Sequence, residues 1–227
     1  ALFRKIDLQK PSRERIKTPD NDFLDLDWYK AGNPRLAIIS HGLEGNSTRS
    51  YMLGMAKAFI QKGFDVLTWN FRGCGEEMNR NLIFYHSGAT YDLDTVVQHA
   101  QEGYREIFLI GFSLGGNLTL KYLGEKKSSN PKLRKGVAIS VPLDLAKSCD
   151  KISTGENIIY SKRFLSTLKE KVMRKSLAFP GKIPVGLLRK IKTLRDFDNY
   201  FTGPLHGFAD AAAVSYTHLR AHETVLD

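Results

Sequence analysis

Four short apolar runs stand between residues 36 and 140: "LAIIS" (Leu36 to Ser40), "FDVLTWN" (Phe64 to Asn70), "EIFLIGF" (Glu106 to Phe112) and "GVAIS" (Gly136 to Ser140). Strands buried on both faces read as continuous apolar runs rather than alternations, which is the pattern of a parallel sheet. The segments between them, "YMLGMAKAFIQKG", "YDLDTVVQHAQEG" and "LGGNLTLKYLGEK", have helical spacing and end near Gly or Lys. Repeated β-α units of this kind predict an α/β fold: a mainly parallel sheet with helices on both faces. "FLDLDWY" (Phe23 to Tyr29) alternates instead and is expected to be a half-exposed antiparallel strand. With 227 residues, 42% of them hydrophobic, the chain can bury a sizeable core in one domain.

After Pro142 the pattern changes. "NIIYSKRFLSTLKEKVMRKSLAF" places Leu165, Leu168 and Val172 on one helical stripe, with basic residues filling the rest of each turn. Residues 151–195 hold twelve bases against Glu156 and Glu170, so the whole net charge of +10 sits in this segment. Without any nucleic-acid motif, charge so localised argues against a nucleic-acid-binding protein. An amphipathic basic helix inserted after a strand suits a lid over the sheet's C-terminal edge. Its outer face is either simply solvated or fitted to an anionic membrane surface. Ile158, Ile159, Phe164 and Leu165 point to an apolar acyl group beneath it. The expected organisation is a core over 1–142, a basic helical lid over 143–205, the start of a return to the core over 206–213 and a separate tail over 214–227.

Gly111-Phe112-Ser113-Leu114-Gly115 fits the G-x-S-x-G elbow, in which a nucleophilic serine occupies a strained strand-to-helix turn and flanking glycines let the backbones approach. An apolar strand precedes it and a helical segment follows. "ISHGLEG" closes an earlier strand at the same sheet edge, and an acyl-transfer site needs two N–H donors where a carbonyl oxygen turns negative. Leu43 and Leu114 are the natural pair of amides, with His41, Gly42, Gly111 and Gly115 supporting them. His41 precedes the serine, the wrong order for a base in this fold, and reads as a brace for its turn. Arg72 in "WNFRGCGE" fits no phosphate-binding motif and reads as a loop anchor. Metal-ligand spacing is absent, so no metal or other cofactor is expected. Cys74 and Cys149 read as small semi-buried thiols in a reducing compartment. With no membrane-length apolar run and no signal-peptide pattern, a cytoplasmic location is the expectation.

Together "SHGLEGNSTRSY", "NFRGCGEEMNR", "YHSGATYDLDTVV", "LIGFSLGGNLTLKYLGE", "AISVPLDLAKSC" and "FTGPLHGF" resemble the YheT-like branch of the α/β-hydrolases, which includes medium-chain ester esterase/synthases of yeast. The resemblance covers roughly residues 15–210. It implies a serine hydrolase of carboxylic esters, with Ser113 as nucleophile and a small-molecule ester as substrate. It also implies an acid and a histidine that come late, after the lid, on a strand ending in Asp and a final His loop. The chain instead ends "AAAVSYTHLRAHETVLD", which resembles translated cloning adapter from about Val214 onward and leads us to expect that the last strands, the acid and the base are missing. It also begins without Met. Asp144 then reads as a brace at the lid's entrance rather than an acid, His206 as structural, and His218 and His222 as tail residues. A fragment without activity is the expectation; a non-catalytic α/β-hydrolase-like binding or interaction protein is the alternative.

Overall fold

One strand here serves two cores. In the computed structural model, which describes residues 5–126 and 130–216, β3 (Arg35–Ser40) sends Leu36 and Ile38 to one face of the sheet and Ala37 and Ile39 to the other. That is the two-residue period of a pleated strand covered on both sides. The sheet order is β1-β2-β4-β3-β5-β6, with β1 at Ser12–Lys17, β2 at Phe23–Tyr29 and β4 at Asp65–Trp69. β5 spans Glu106–Phe112 and β6 Leu133–Ile139. β3, β4, β5 and β6 run parallel, and β2 joins β4 antiparallel. Helix α1 (Ser50–Gln61) packs Met52 and Ala56 on one face. Helices α2 (Thr90–Ala100) and α3 (Leu114–Lys126) cover the other with Leu93, Val97, Leu118 and Tyr122.

The alternating strand departs from expectation. β2 is buried at all seven positions, Asp25 and Asp27 included. β1 is the reason: its Arg13 and Arg15 form two-pronged ion pairs with Asp27 and Asp25, at 2.7–3.1 Å. The Ser47 hydroxyl adds a bond to Asp27 at 2.5 Å. Alternating carboxylates ordinarily signal a wet face; these are polar but paired, so the face closes. β1 itself, "SRERIK", carries too much charge to read as a strand, and its pairing partners lie in β2.

Between residues 143 and 216 the regular elements are all helices. α4 spans Leu145–Ile152, α5 Ile158–Ala178, α6 Leu194–Phe197, α7 Gly203–His206 and α8 Ala211–Tyr216. The predicted stripe of α5 is buried: Leu165, Leu168 and Val172 join Phe84, Phe197 and Phe201 in a separate cluster. Two of its lysines depart from the expected outward basic face. Lys175 is fully buried, its ammonium donating to the carbonyls of Asn79 and Asn81, and Lys171 reaches Glu44 at 2.6 Å. Desolvation pushes Lys175 down to about 8.

Arg72 ties the loop after β4 to two distant segments. Its guanidinium grips Asp92 of α2 at 2.7 and 2.8 Å and Asp20 at 2.6 Å, with Arg72 and Asp92 each 2% exposed. This is the loop anchor expected from its setting. Truncating it strands Asp92 as an uncompensated buried charge, so Arg72→Ala should cost about 3–5 kcal/mol, read as a lower urea midpoint with an unchanged slope.

Candidate active site

Ser113 sits between the last residue of β5 and the first of α3 with φ +50°. For a residue with a Cβ this left-handed conformation is strained, and such strain persists only where the surroundings enforce it. They do so through backbone contact: a Cβ on Gly111 would meet the Gly115 carbonyl, and one on Gly115 would meet the His41 carbonyl. The Ser113 N–H donates to Ile139 of β6 at 2.8 Å, and its carbonyl accepts from Gly116 and Asn117 at 2.9 and 3.0 Å. Gly42 abuts the serine, since a Cβ placed there would lie 3.3 Å from that of Ser113.

His41 braces this turn. Phe71 N–H donates to its Nε2 at 3.1 Å, so the ring proton is on Nδ1, which donates to the Gly42 carbonyl at 2.7 Å. Both nitrogens are occupied and the ring is fully buried. Burial holds its pKa at about 3, which keeps it neutral. Leu43, Ser113 and Leu114 line one cavity. Leu114 opens α3, so its N–H has no intrahelical acceptor.

Next to Leu43, Glu44 also has positive φ, +52°. Its N–H donates to the Tyr85 hydroxyl at 3.0 Å, and that hydroxyl donates to Glu44 Oε1 at 2.7 Å. Lys171 of α5 donates to the same oxygen at 2.6 Å and to Cys74 Sγ at 3.0 Å. Burial works against the Lys171 ammonium, but Cys74 and Glu44 outweigh it and raise its pKa above the ordinary value. The thiols are inert: burial pushes Cys74 up to about 11 and Cys149 up to about 12.

The cavity holds about 550 Å³ and is walled mainly by apolar side chains, among them Phe84, Leu145, Ile152, Phe164 and Leu168. Ile158 and Ile159, expected over the acyl group, are instead 40% and 76% exposed and outside the wall, because the helix turns Tyr160 and Phe164 inward. Besides Lys171 and Tyr85, a histidine and an acid in the wall have no counterpart among the expected site residues. His86, 8% exposed, accepts from Gly88 N–H at 3.1 Å and stacks edge-on against His206, 4.6 Å between centroids. Burial puts His86 at about 3 and His206 at about 4. Asp198 is the other, its carboxyl pushed up to about 6 by burial. His86 lies within the motif "YHSGATYDLDTVV", which assigns it no role, and for Asp198 the only signal is a polar residue amid aromatics in "DFDNYF".

Asp144 caps α4, accepting from Lys147 N–H at 2.9 Å. Among the described residues, no histidine hydrogen-bonds to Ser113 Oγ. His218 and His222 lie outside the described residues.

A parallel sheet whose β5 ends in a strained serine, crossed by helices on both faces and facing an apolar cavity, defines an α/β-hydrolase. Over residues 33–197 the chain matches the family described as serine aminopeptidase, S33, and it belongs to that family. It is 34% identical to YheT of Escherichia coli strain K12, covering 92% of this chain and 64% of that protein. It is 31% identical to a monoacylglycerol lipase of Saccharomyces cerevisiae, covering 86% of this chain and 44% of that one. The chain thus spans about half to two thirds of the length of these relatives. Among solved structures it resembles the Pyrococcus furiosus esterase Pf2001, with a TM-score of 0.55 and 25% identity over 65% of this chain and 57% of that one.

The buried histidines set an acid limit on the fold. A free histidine takes its proton at about 6.5; His41, His86 and His206 resist until about 3, 3 and 4. Between those values the unfolded chain binds more protons, so this stability is complete above pH 6.5 and is lost as pH falls. Asp198 works in the opposite sense, losing stability as pH rises through about 6, but it is one group against three. Urea unfolding at pH 7 and pH 5 should show a loss of a few kcal/mol at the lower pH, with a smaller loss in His86→Asn.

Proposed function

We propose that Ser113 is the nucleophile of a carboxylic ester hydrolase. Its hydroxyl attacks the ester carbonyl, the Leu43 and Leu114 N–H groups hold the oxyanion, and an acyl-serine forms that water or an alcohol then releases. The observation that carries this reading is the left-handed Ser113 at the β5–α3 turn, opening on an apolar cavity large enough for an acyl chain. Relatives named as lipases support ester or lipid chemistry. Since no described histidine reaches Ser113, we place the acid and base outside the described residues, and we place the lid in the helices from α4 onward.

A fluorophosphonate probe tests the assignment. In the protein extended to the length of its relatives, Ser113 should be labelled and Ser113→Ala should not. The chain as it stands should label slower by orders of magnitude, since a serine without its base is a weak nucleophile. Equal labelling of wild type and Ser113→Ala would remove Ser113 from the mechanism and favour a binding protein built on the same fold.

The lid's outer surface also supports a peripheral contact with anionic membrane. Lys162, Arg163, Arg174, Lys182, Arg189 and Lys192 are exposed, and among the described residues none of them pairs with a carboxylate. Ile159 and Leu177, on the same helix, are 76% and 79% exposed. Among the described residues no helix is long and apolar enough to cross a membrane. Binding to phosphatidylcholine vesicles should require added phosphatidylglycerol and weaken steeply with salt; binding indifferent to both would dismiss the contact.

A further inference from the structure

Almost every carboxylate buried in this protein has a cation or a set of N–H donors of its own. Asp25 has Arg15, Asp27 has Arg13, Asp92 has Arg72 and Glu44 has Lys171. Asp22 collects backbone and side-chain N–H donors as well as Arg72 at 3.4 Å, and Asp65 collects N–H donors alone. Asp198, only half-buried where it enters the cavity wall, is the exception. Among the described residues no cation pairs with it, and its one side-chain bond is the Thr202 hydroxyl. The nearest candidate in sequence, Arg195, is committed to Asp150 at 2.8 and 3.1 Å and to the Ala146 carbonyl.

Its backbone setting is also unusual. Asp198–Thr202 form a π-helical turn between α6 and α7, closed by the Gly203 N–H on the Asp198 carbonyl. Such wide turns are rare and costly, and they collect at functional sites. Here the turn brings Asp198 and Thr202 together into the wall of the cavity that also holds Ser113. A carboxylate is an acceptor only, and in this largely apolar wall the Thr202 hydroxyl satisfies only part of the Asp198 carboxylate's capacity.

We propose that Asp198 is the polar anchor of the cavity's ligand, an amphiphile with an apolar chain and a hydrogen-bond donor, hydroxyl or ammonium, that reaches this carboxylate. This deepens the ester-hydrolase reading by naming the substrate class: an acyl ester bearing a donor group, rather than a purely apolar ester. The apolar walls take the chain, and Asp198 selects the donor. A site built to bond a donor rejects analogues lacking it far more strongly than an apolar pocket rejects a change in size.

Binding of non-hydrolysable amphiphiles to the chain tests this without catalysis. Decyl glyceryl ether, decylamine and decyl methyl ether share one chain; the first offers hydroxyls, the second an ammonium and the third no donor. Calorimetry below their micelle concentrations should show at least one donor-bearing ligand bound about tenfold or more tighter than the methyl ether. Asp198→Leu should abolish that preference while keeping methyl ether affinity, and Asp198→Asn, which keeps the shape, should reduce it several-fold. Preference for the glyceryl ether identifies a polyol ligand and preference for the amine a cationic one; either supports the anchor. Equal binding of all three by wild type, or a preference unchanged in Asp198→Asn, would overturn it. Because Ser113 takes no part, failed probe labelling with a retained preference would sink the hydrolase reading alone, and the converse would sink only the anchor.

Discussion

The contact on which this structure turns is backbone against backbone, where the start of α3 presses on the end of β3. Gly115 leaves no room for a side chain beside the His41 carbonyl, so the serine turn and the loop carrying Leu43 are held at one fixed spacing. Two adjacent parallel strands thereby deliver their C-terminal loops to a single point, the place where open α/β sheets put their ligands. His41, neutral and bonded at both nitrogens, fixes that loop from beneath. Its fixed tautomer holds the Gly42 carbonyl and the Phe71 N–H in one arrangement.

A second constraint joins this point to the helices above it. Glu44 follows Leu43 directly, and its carboxylate takes a lysine from α5 and a tyrosine from the loop before α2. The left-handed backbone of Glu44 is thus held by two separate segments of chain. Whatever displaces α5 also removes the cation from a carboxylate that is only 4% exposed. The loop and the helix are therefore expected to move together or not at all, because a lone charge at that depth is costly.

Much of this was readable in the sequence where the signal is local. Four apolar runs became four parallel strands, three of them because burial on both faces leaves one composition available, and α3 begins at Leu114 as its pattern predicts. The serine turn was legible in part for the same reason: Gly111 answers to Gly115 nearby in sequence, although Gly115 answers to the distant His41 carbonyl. Boundaries were less so; β6 starts at Leu133 rather than Gly136, since Arg134 and Lys135 are exposed there and carry no apolar signal. β1 and the burial of β2 could not be read, because ion pairs between strands turn polar residues into core. His86, Lys171 and Asp198 belong to a further category. What makes them notable is which groups do or do not lie beside them in space, and no spacing rule encodes that.

One edge of the sheet carries a cost of another kind. Among the described residues β6 pairs only with β5, and Val137 on it is 50% exposed. A strand with a free row of N–H and C=O groups and an apolar residue on show is a template for a further strand, from any source. In a concentrated solution, or on the ribosome, that edge competes for the same partners as aggregation does. A net charge of +10 opposes such encounters by mutual repulsion, so the shelf life of this protein at high concentration should depend on ionic strength more than on the strength of its core.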